Sequence, residues 1–342
     1  MQRAGLTYLT IRPAGWQRDC FVSFDFAARL WSMIATDLGW PMTNHLLRSL
    51  LFVPADSPRK LEKARGLRPD AVILDLEDGV SVENKLRARS LLSAELPNLR
   101  KTQSRIFVRV NSLQSSWFAE DLHAAASPGV AGIVLPKVET AAEVSDVDDV
   151  LALVEEQKGL PGGGLRLLPS IESASGVLQA GAVARCSSRT LALVFGGEDY
   201  CADMGMTRTK SGDELFFARW MISLAARAAG VEAIDTVFTD LNDPSGLIAD
   251  TRRARQMGFG GRLLIHPGQI DAVHRAFAPD EEAVIWAERV VSAFDEASRQ
   301  GAAVVVVDGK MVDWPVLLQA RRILALRVDP ADSATTGSRT LS

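Results

Sequence analysis

RLLPSIES at residues 166–173 and TLALVFGGED at residues 190–199 decide how this sequence is read. In each, a short apolar run ends on acid: Leu167-Leu168-Pro169-Ser170-Ile171 on Glu172, and Leu191 through Gly197 on Glu198 and Asp199. Apolar runs of this length, bounded by turn residues, read as buried parallel strands, whose carboxyl ends are where such sheets carry their chemistry. Glu172 and Asp199 are therefore candidate ligands of a divalent cation, with hard oxygen donors suited to Mg²⁺ and Mn²⁺ as the alternative. Either acid alone could be a solvated loop residue. The recurrence of similar strand ends along the chain favours the metal reading.

Working outward, extended apolar segments alternate with helix-like segments from Ser49 onward, the pattern of repeated βα units. Eight strands are predicted, at 49–55, 71–78, 105–111, 132–138, 166–173, 190–199, 233–241 and 261–267. Eight such units fit a closed (β/α)₈ TIM barrel, with its active site at the carboxyl ends of the strands. Polar residues gather at those ends: Asp75, Glu77, Asp78, Arg109, Asn111, Lys137, Glu172, Asp199, Asp240 and His266. A dinucleotide-binding fold is disfavoured, because no GxGxxG follows the first strand.

Composition narrows the function classes. A net charge of −4 and the lack of a basic block argue against nucleic acid as partner. Three widely spaced cysteines, Cys20, Cys186 and Cys201, support neither a disulfide framework nor a zinc site, so the expected compartment is reducing and cytoplasmic. The four histidines form no HExxH cluster, which leaves any metal to carboxylates. No apolar run reaches membrane-spanning length, and the chain reads as soluble.

The barrel is expected over residues 44–279, preceded by an extension at 1–43. That extension reads either as sequence upstream of the true start, since Met42 directly precedes the first strand pattern, or as an amphipathic arm carrying Phe21, Phe24, Trp31 and Ile34 at helical spacing. Residues 158–164, rich in glycine, form a loop on the face away from the site. A C-terminal helical lid is expected over 280–328, with helices at 280–300 and 315–326, and a disordered tail over 329–342.

Several of these motifs, in order, resemble the HpcH/HpaI aldolase and citrate lyase β-subunit family: Arg48-Ser49-Leu50-Leu51-Phe52-Val53-Pro54, Asp75-Leu76-Glu77-Asp78, Val108-Arg109-Val110-Asn111, Leu135-Pro136-Lys137, Ile171-Glu172-Ser173, Gly197-Glu198-Asp199 and Ile265-His266-Pro267. The resemblance spans about residues 46–325. It implies a Mg²⁺-dependent barrel that makes or breaks a carbon–carbon bond between a 2-oxo acid and an acyl thioester, with coenzyme A as part of the substrate. It also implies that Glu172 and Asp199 hold the metal, that Asp75, Glu77 and Asp78 act on it through water or else pair with basic neighbours, and that Arg109 binds a carboxylate or oxyanion. Lys137 and the backbone amides of Gly197, Glu198 and Asp199 are candidates for substrate binding.

Ser57, Arg59, Lys60 and Lys63, at a helix start after the first strand, suit the phosphates of coenzyme A. His266 is expected to be a structural hydrogen-bonding residue rather than a general base. Gly309-Lys310-Met311-Val312-Asp313 resembles the lid motif of malyl-CoA and citramalyl-CoA lyases, which makes Asp313 the acid–base residue of a neighbouring subunit in a trimer or hexamer. Trp314 beside it departs from the family pattern. The competing expectations are a citrate lyase β subunit acting on a thioester held by an acyl carrier protein, a malyl-CoA thioesterase, and a noncatalytic thioester-binding protein.

Overall fold

The computed structural model describes residues 47–326, so the expectations for 1–43 and 329–342 fall outside the described residues. Eight parallel strands close into a barrel in chain order: β1 Ser49–Pro54, β2 Ala71–Asp75, β3 Arg105–Arg109, β4 Val130–Leu135, β5 Arg166–Ile171, β6 Ala192–Phe195, β7 Glu232–Asp235 and β8 Gly261–Leu264. Closure is made by β8 against β1, with Leu50 opposite Leu263. Alternate residues of each strand serve two cores. Leu50, Ile73, Phe107, Val134, Leu168, Val194 and Ile234 fill the barrel, while Leu51, Leu74, Val108, Ile133 and Leu193 face the helices outside.

The outer layer is α1 Pro58–Ala64, α2 Lys85–Leu99, α3 Phe118–Ala125, α4 Ala141–Lys158, α5 Ala174–Arg185, α6 Gly197–Asp203, α7 Phe216–Ala229, α8 Pro244–Gln256 and α9 Ile270–Phe277. Local signals set their ends. Thr140 and Glu143 form a reciprocal capping box at the start of α4, and Gly159 ends that helix in the left-handed conformation. Among the described residues, no helix is long and apolar enough to cross a membrane.

The C-terminal segment has its own small core. Ala287, Val290 and Phe294 of α10 (Glu281–Arg299) meet Leu317 and Ala320 of α11 (Trp314–Ala325) across a hairpin, β9 Val305–Val307 with β10 Lys310–Val312. Both helices match the sequence expectation, but the hairpin is new. Its turn is Asp308-Gly309, both at positive φ (52° and 73°), the turn chemistry that joins two twisted strands.

The barrel wall beneath β7 and β8 encloses an ion network. Arg219 of α7 forks onto Asp235 of β7 (Nε–Oδ1 2.9 Å, Nη2–Oδ2 2.9 Å) and also bonds Asp250 of α8, while Arg262 of β8 reaches both acids. Burial opposes Asp250's charge, yet Arg262 and Arg219 hold its pKa well below the usual range. A carboxylate held low stabilises the fold above pH 3.8, its ordinary pKa, and that contribution is lost as pH falls. Asp235→Ala leaves two buried guanidinium groups to share Asp250 alone, and is expected to cost about 3–5 kcal/mol of unfolding free energy, read from the urea midpoint.

Candidate active site

The carboxyl ends of the strands surround a cavity of about 380 Å³ whose wall includes Asp75, Asp78, Arg109, Glu172, Gly196, Gly197, Glu198 and Asp199. Asp75 closes β2, Arg109 closes β3, and the two are register partners. The guanidinium forks onto the carboxylate, Nε to Oδ1 at 2.8 Å and Nη2 to Oδ2 at 2.7 Å, with its face 4.5 Å from the Phe52 ring centroid. Arg109 thus makes the ion pair with the acidic turn and also borders the cavity. Burial works against its charge, but the bond and field of Asp75, with Glu77 and Glu172, raise its pKa and keep it cationic.

All three acids of the cluster have basic neighbours, and Asp75 holds the two-pronged pair. Its remaining lone pairs accept from the amides of Glu77 and Gly79, each at 2.9 Å, which fixes the turn leaving β2. Lys85, buried at the start of α2, braces that turn from below by donating to the carbonyls of Leu76 and Glu77 and to Asn111 Oδ1 at 2.7, 2.7 and 2.8 Å. Glu77 is anchored on one side only. Its Oε1 accepts from Lys137 Nζ at 2.8 Å, while Oε2 lies 3.0 Å from Arg109 Nη1 without a hydrogen bond and is buried.

Lys137 sits at φ 57°, an uncommon conformation for a side-chain-bearing residue. Burial lowers its pKa, but the Glu77 bond and the charges of Glu77, Asp78 and Asp199 prevail and push it up to about 12. Lys137 borders Asp78 at 3.7 Å and is not among the residues lining the cavity.

Glu172 follows β5 directly and lies over the backbone of Gly196, where a Cβ would stand 2.5 Å from Glu172 Cγ; only glycine fits there. Burial is the main cause that pushes its pKa up to about 7; a bond from Ser170 opposes, the charges of Glu77 and Asp199 add to the rise, and Arg109 opposes again. Asp199 stands in the first turn of α6 rather than at the end of a strand, because β6 stops at Phe195 before Gly196-Gly197. The proposed amide nest is reduced accordingly. Gly197 donates its N–H to Thr236 Oγ1 at 2.9 Å, and the Glu198 carboxylate is held by Arg208 Nε at 2.8 Å.

These donors fit a divalent cation. Glu172 and Asp199 border one cavity, the charge of Asp199 adds to the cost of ionising Glu172, and Glu77 Oε2 is a buried oxygen still lacking a donor. Among the described residues no three acidic, His or Cys side chains converge on one point; two carboxylates are the number of protein ligands Mg²⁺ commonly takes, with water and substrate filling the rest.

A second cavity, about 460 Å³, adjoins the first and shares Phe52, Pro54, Lys60 and Ile265 with it. Ser57, Arg59, Lys60 and Lys63 all line it. Ser57 occupies the N-cap position of α1, but its side chain makes no capping bond. His266 borders this cavity and accepts from the Gly268 amide at 3.0 Å, the structural role expected. Asp240 accepts from the amide of Asn242 in an exposed turn and lies outside both linings.

Asp313 caps α11, accepting from Val316 N at 3.3 Å, and lines neither cavity. Sequence reasoning missed Phe52, Ser170, Thr236 and Arg208. Ser170 alone left a signal, as the polar residue in an otherwise apolar strand.

The HpcH/HpaI aldolase/citrate lyase family model matches residues 48–267, and the chain belongs to that family. It is 39% identical over 283 residues to a citrate lyase subunit beta of Leuconostoc mesenteroides subsp. cremoris, covering 83% of this chain and 94% of that one. A (3S)-malyl-CoA thioesterase of Cereibacter sphaeroides is 36% identical (82% and 94% covered), and the mitochondrial citramalyl-CoA lyase of Mus musculus 34% (83% and 88%). Among solved structures, the CitE protein of Mycobacterium tuberculosis in complex with magnesium, acetoacetate and coenzyme A aligns with a TM-score of 0.67 at 32% identity, over 83% of this chain and 98% of that one.

Proposed function

We propose that the protein is a Mg²⁺-dependent carbon–carbon lyase that cleaves, or in reverse forms, a 3-hydroxyacyl-CoA thioester, giving an acyl-CoA and a 2-oxo acid. The observation that carries this reading is the pair of adjoining cavities: one holds the carboxylates Glu172 and Asp199 beside Arg109, and the other is lined by Ser57, Arg59, Lys60 and Lys63. Glu172 and Asp199 would hold the cation, and Glu77 its waters. Mg²⁺ supplies a Lewis acid for the substrate's hydroxyl and neighbouring carboxylate.

The remaining chemistry falls to this chain's own groups. Arg109, fixed by Asp75 and Phe52, keeps N–H donors for a developing oxyanion. Lys60, at the junction of the cavities, and Arg59 and Lys63 beyond it bind the phosphates of coenzyme A. Asp313 from a neighbouring subunit protonates the thioester enolate, in a homo-oligomer located in the cytoplasm. The basic lining of the second cavity favours free coenzyme A over a carrier-protein thioester.

The test is a Mg²⁺-supplemented assay of purified protein with malyl-CoA, methylmalyl-CoA and citramalyl-CoA, with products identified by mass spectrometry. A lyase yields acyl-CoA and an oxo acid, whereas free CoA with an intact hydroxy acid would establish a thioesterase instead. Arg109→Lys is expected to lower kcat about 10²–10³-fold, because an ammonium cannot make the planar fork to Asp75 while offering donors to the cavity. Wild-type kcat in this variant would reduce Arg109 to a point charge.

A further inference from the structure

Gly196 and Gly197 lie between β6 and Asp199, and the turn they form is held from both sides. On the β5 side, Gly196 donates its N–H to the Ile171 carbonyl at 3.0 Å and lies under the Glu172 side chain. On the β7 side, Gly197 donates to Thr236 Oγ1 at 2.9 Å. A Cβ on Gly197 would stand 2.9 Å from that oxygen, 3.1 Å from Thr236 Cγ2 and 3.1 Å from Leu215 Cδ1, so the turn is seated closely on Thr236. Asp199 follows in the first turn of α6.

Thr236 reaches this seat through strand alternation. It follows β7 directly; Ile234 belongs to the barrel's inner core and Asp235 points outward to Arg219, so Thr236 points inward and lines the first cavity. Thr236, Gly197 and Leu215 are all buried.

We infer that Thr236 is a positioning residue of the cation site: its hydroxyl fixes where α6 starts and so sets the placement of Asp199 against Glu172. The inference rests on the reading above that these two carboxylates hold the cation. Mg²⁺ demands near-ideal octahedral geometry, which a ligand displaced by more than about 0.5 Å no longer meets. Glu172 is fixed by its own strand, β5, whereas Asp199 belongs to a helix of seven residues entered through two glycines. Such a segment takes its position from its tethers, because glycine backbone does not fix one by itself. Without the Thr236 hydroxyl, the buried Gly197 N–H loses its acceptor, and the turn shifts to find another.

The test compares Thr236→Val, which keeps the shape and removes the acceptor, with Thr236→Ser, which keeps the acceptor and removes the methyl group. Mg²⁺ affinity of the substrate-free full chain is read by calorimetry, Mn²⁺ binding by electron paramagnetic resonance, and folding by the melting temperature of the metal-free protein. Thr236→Val is expected to bind Mg²⁺ about 10–100-fold more weakly, the usual cost of removing a group that orients a ligand from behind, and Thr236→Ser to stay within about threefold of wild type. Turnover by the valine variant should recover as Mg²⁺ is raised, which neither a general loss of structure nor a lost substrate contact would produce. Should the valine variant fail to fold, Thr236→Ala, which also lacks the acceptor and adds no bulk, is judged by the same criterion. Wild-type Mg²⁺ affinity without the hydroxyl overturns the inference and leaves the lyase reading intact; reduced turnover at that unchanged affinity would make Thr236 a substrate contact instead. Equal loss in the serine variant also overturns it, since packing of the methyl group would then be the cause. No Mg²⁺ uptake by the wild-type chain defeats the metal reading itself, and the inference with it.

Discussion

Glu172→Ala and Asp199→Ala are each expected to lower Mg²⁺-dependent turnover by about 10³-fold or more, the ~4 kcal/mol that loss of a correctly held Lewis acid represents. The fold should survive both changes. Glu172 is buried in a site that pushes its pKa up to about 7, so its charge is a burden on the metal-free protein above that pH. A neutral replacement, Glu172→Gln, should therefore leave the melting temperature of metal-free protein unchanged or raise it. The same shift gives metal binding a pH dependence. Below about 7 the proton on Glu172 competes with the cation, so Mg²⁺ affinity should fall by about tenfold per pH unit and level off above it. Calorimetry in buffers of different ionisation enthalpy would show the released proton. Full turnover in both alanine variants would place the cation elsewhere.

The fold was legible because each barrel strand carries its own apolar run. Every predicted strand overlaps an observed one, and at the carboxyl end every prediction runs past the observed strand. The segments predicted at 71–78, 105–111, 190–199 and 233–241 end at Asp75, Arg109, Phe195 and Asp235. Beyond those points the chain stays apolar, as at Leu76 and Val110, and is buried, but it turns outward to form the site. Periodicity registers burial and not ladder pairing, so it runs past the strand into the functional loop. The hairpin at 305–312 was a different omission. Asp308-Gly309 between a valine run and Lys310-Met311-Val312 is a hairpin signal, and it went unused.

Individual acids could be found in the sequence; their partners could not. Asp75, Glu77, Glu172 and Asp199 mark strand ends, but whether a strand-end carboxylate faces a cation or a guanidinium depends on contacts across tens of residues. The fork from Arg109 to Asp75 spans 34 positions, the bond from Lys137 to Glu77 60, and the one from Gly197 to Thr236 39. The last of these removed an amide that sequence reasoning had reserved for substrate. Local spacing carries no information on such pairs.

Loss of Asp313 is expected to abolish turnover as completely as loss of Glu172 while sparing metal binding. The structure gives a reason to look across a subunit boundary for it. Within its own chain Asp313 lines neither cavity, and it belongs to a segment with a separate core. The far end of that segment's last helix brings Arg322 close enough to Arg227 to depress its pKa, although burial is the larger cause. Arg227 lies at the C-terminal end of α7, just before β7 begins, on the face of the barrel opposite the cavity. A residue carried there can complete a site by closing over a neighbouring barrel, excluding water from an enolate that must be protonated at carbon. Mixing inactive Asp313→Ala with inactive Glu172→Ala subunits under exchange conditions tests this directly. A shared site needs an intact barrel from one chain and an intact Asp313 from another, so random assembly should restore about a quarter of wild-type activity. If Asp313 served its own barrel, every site would remain broken, and no activity would return even with exchange verified by native mass spectrometry.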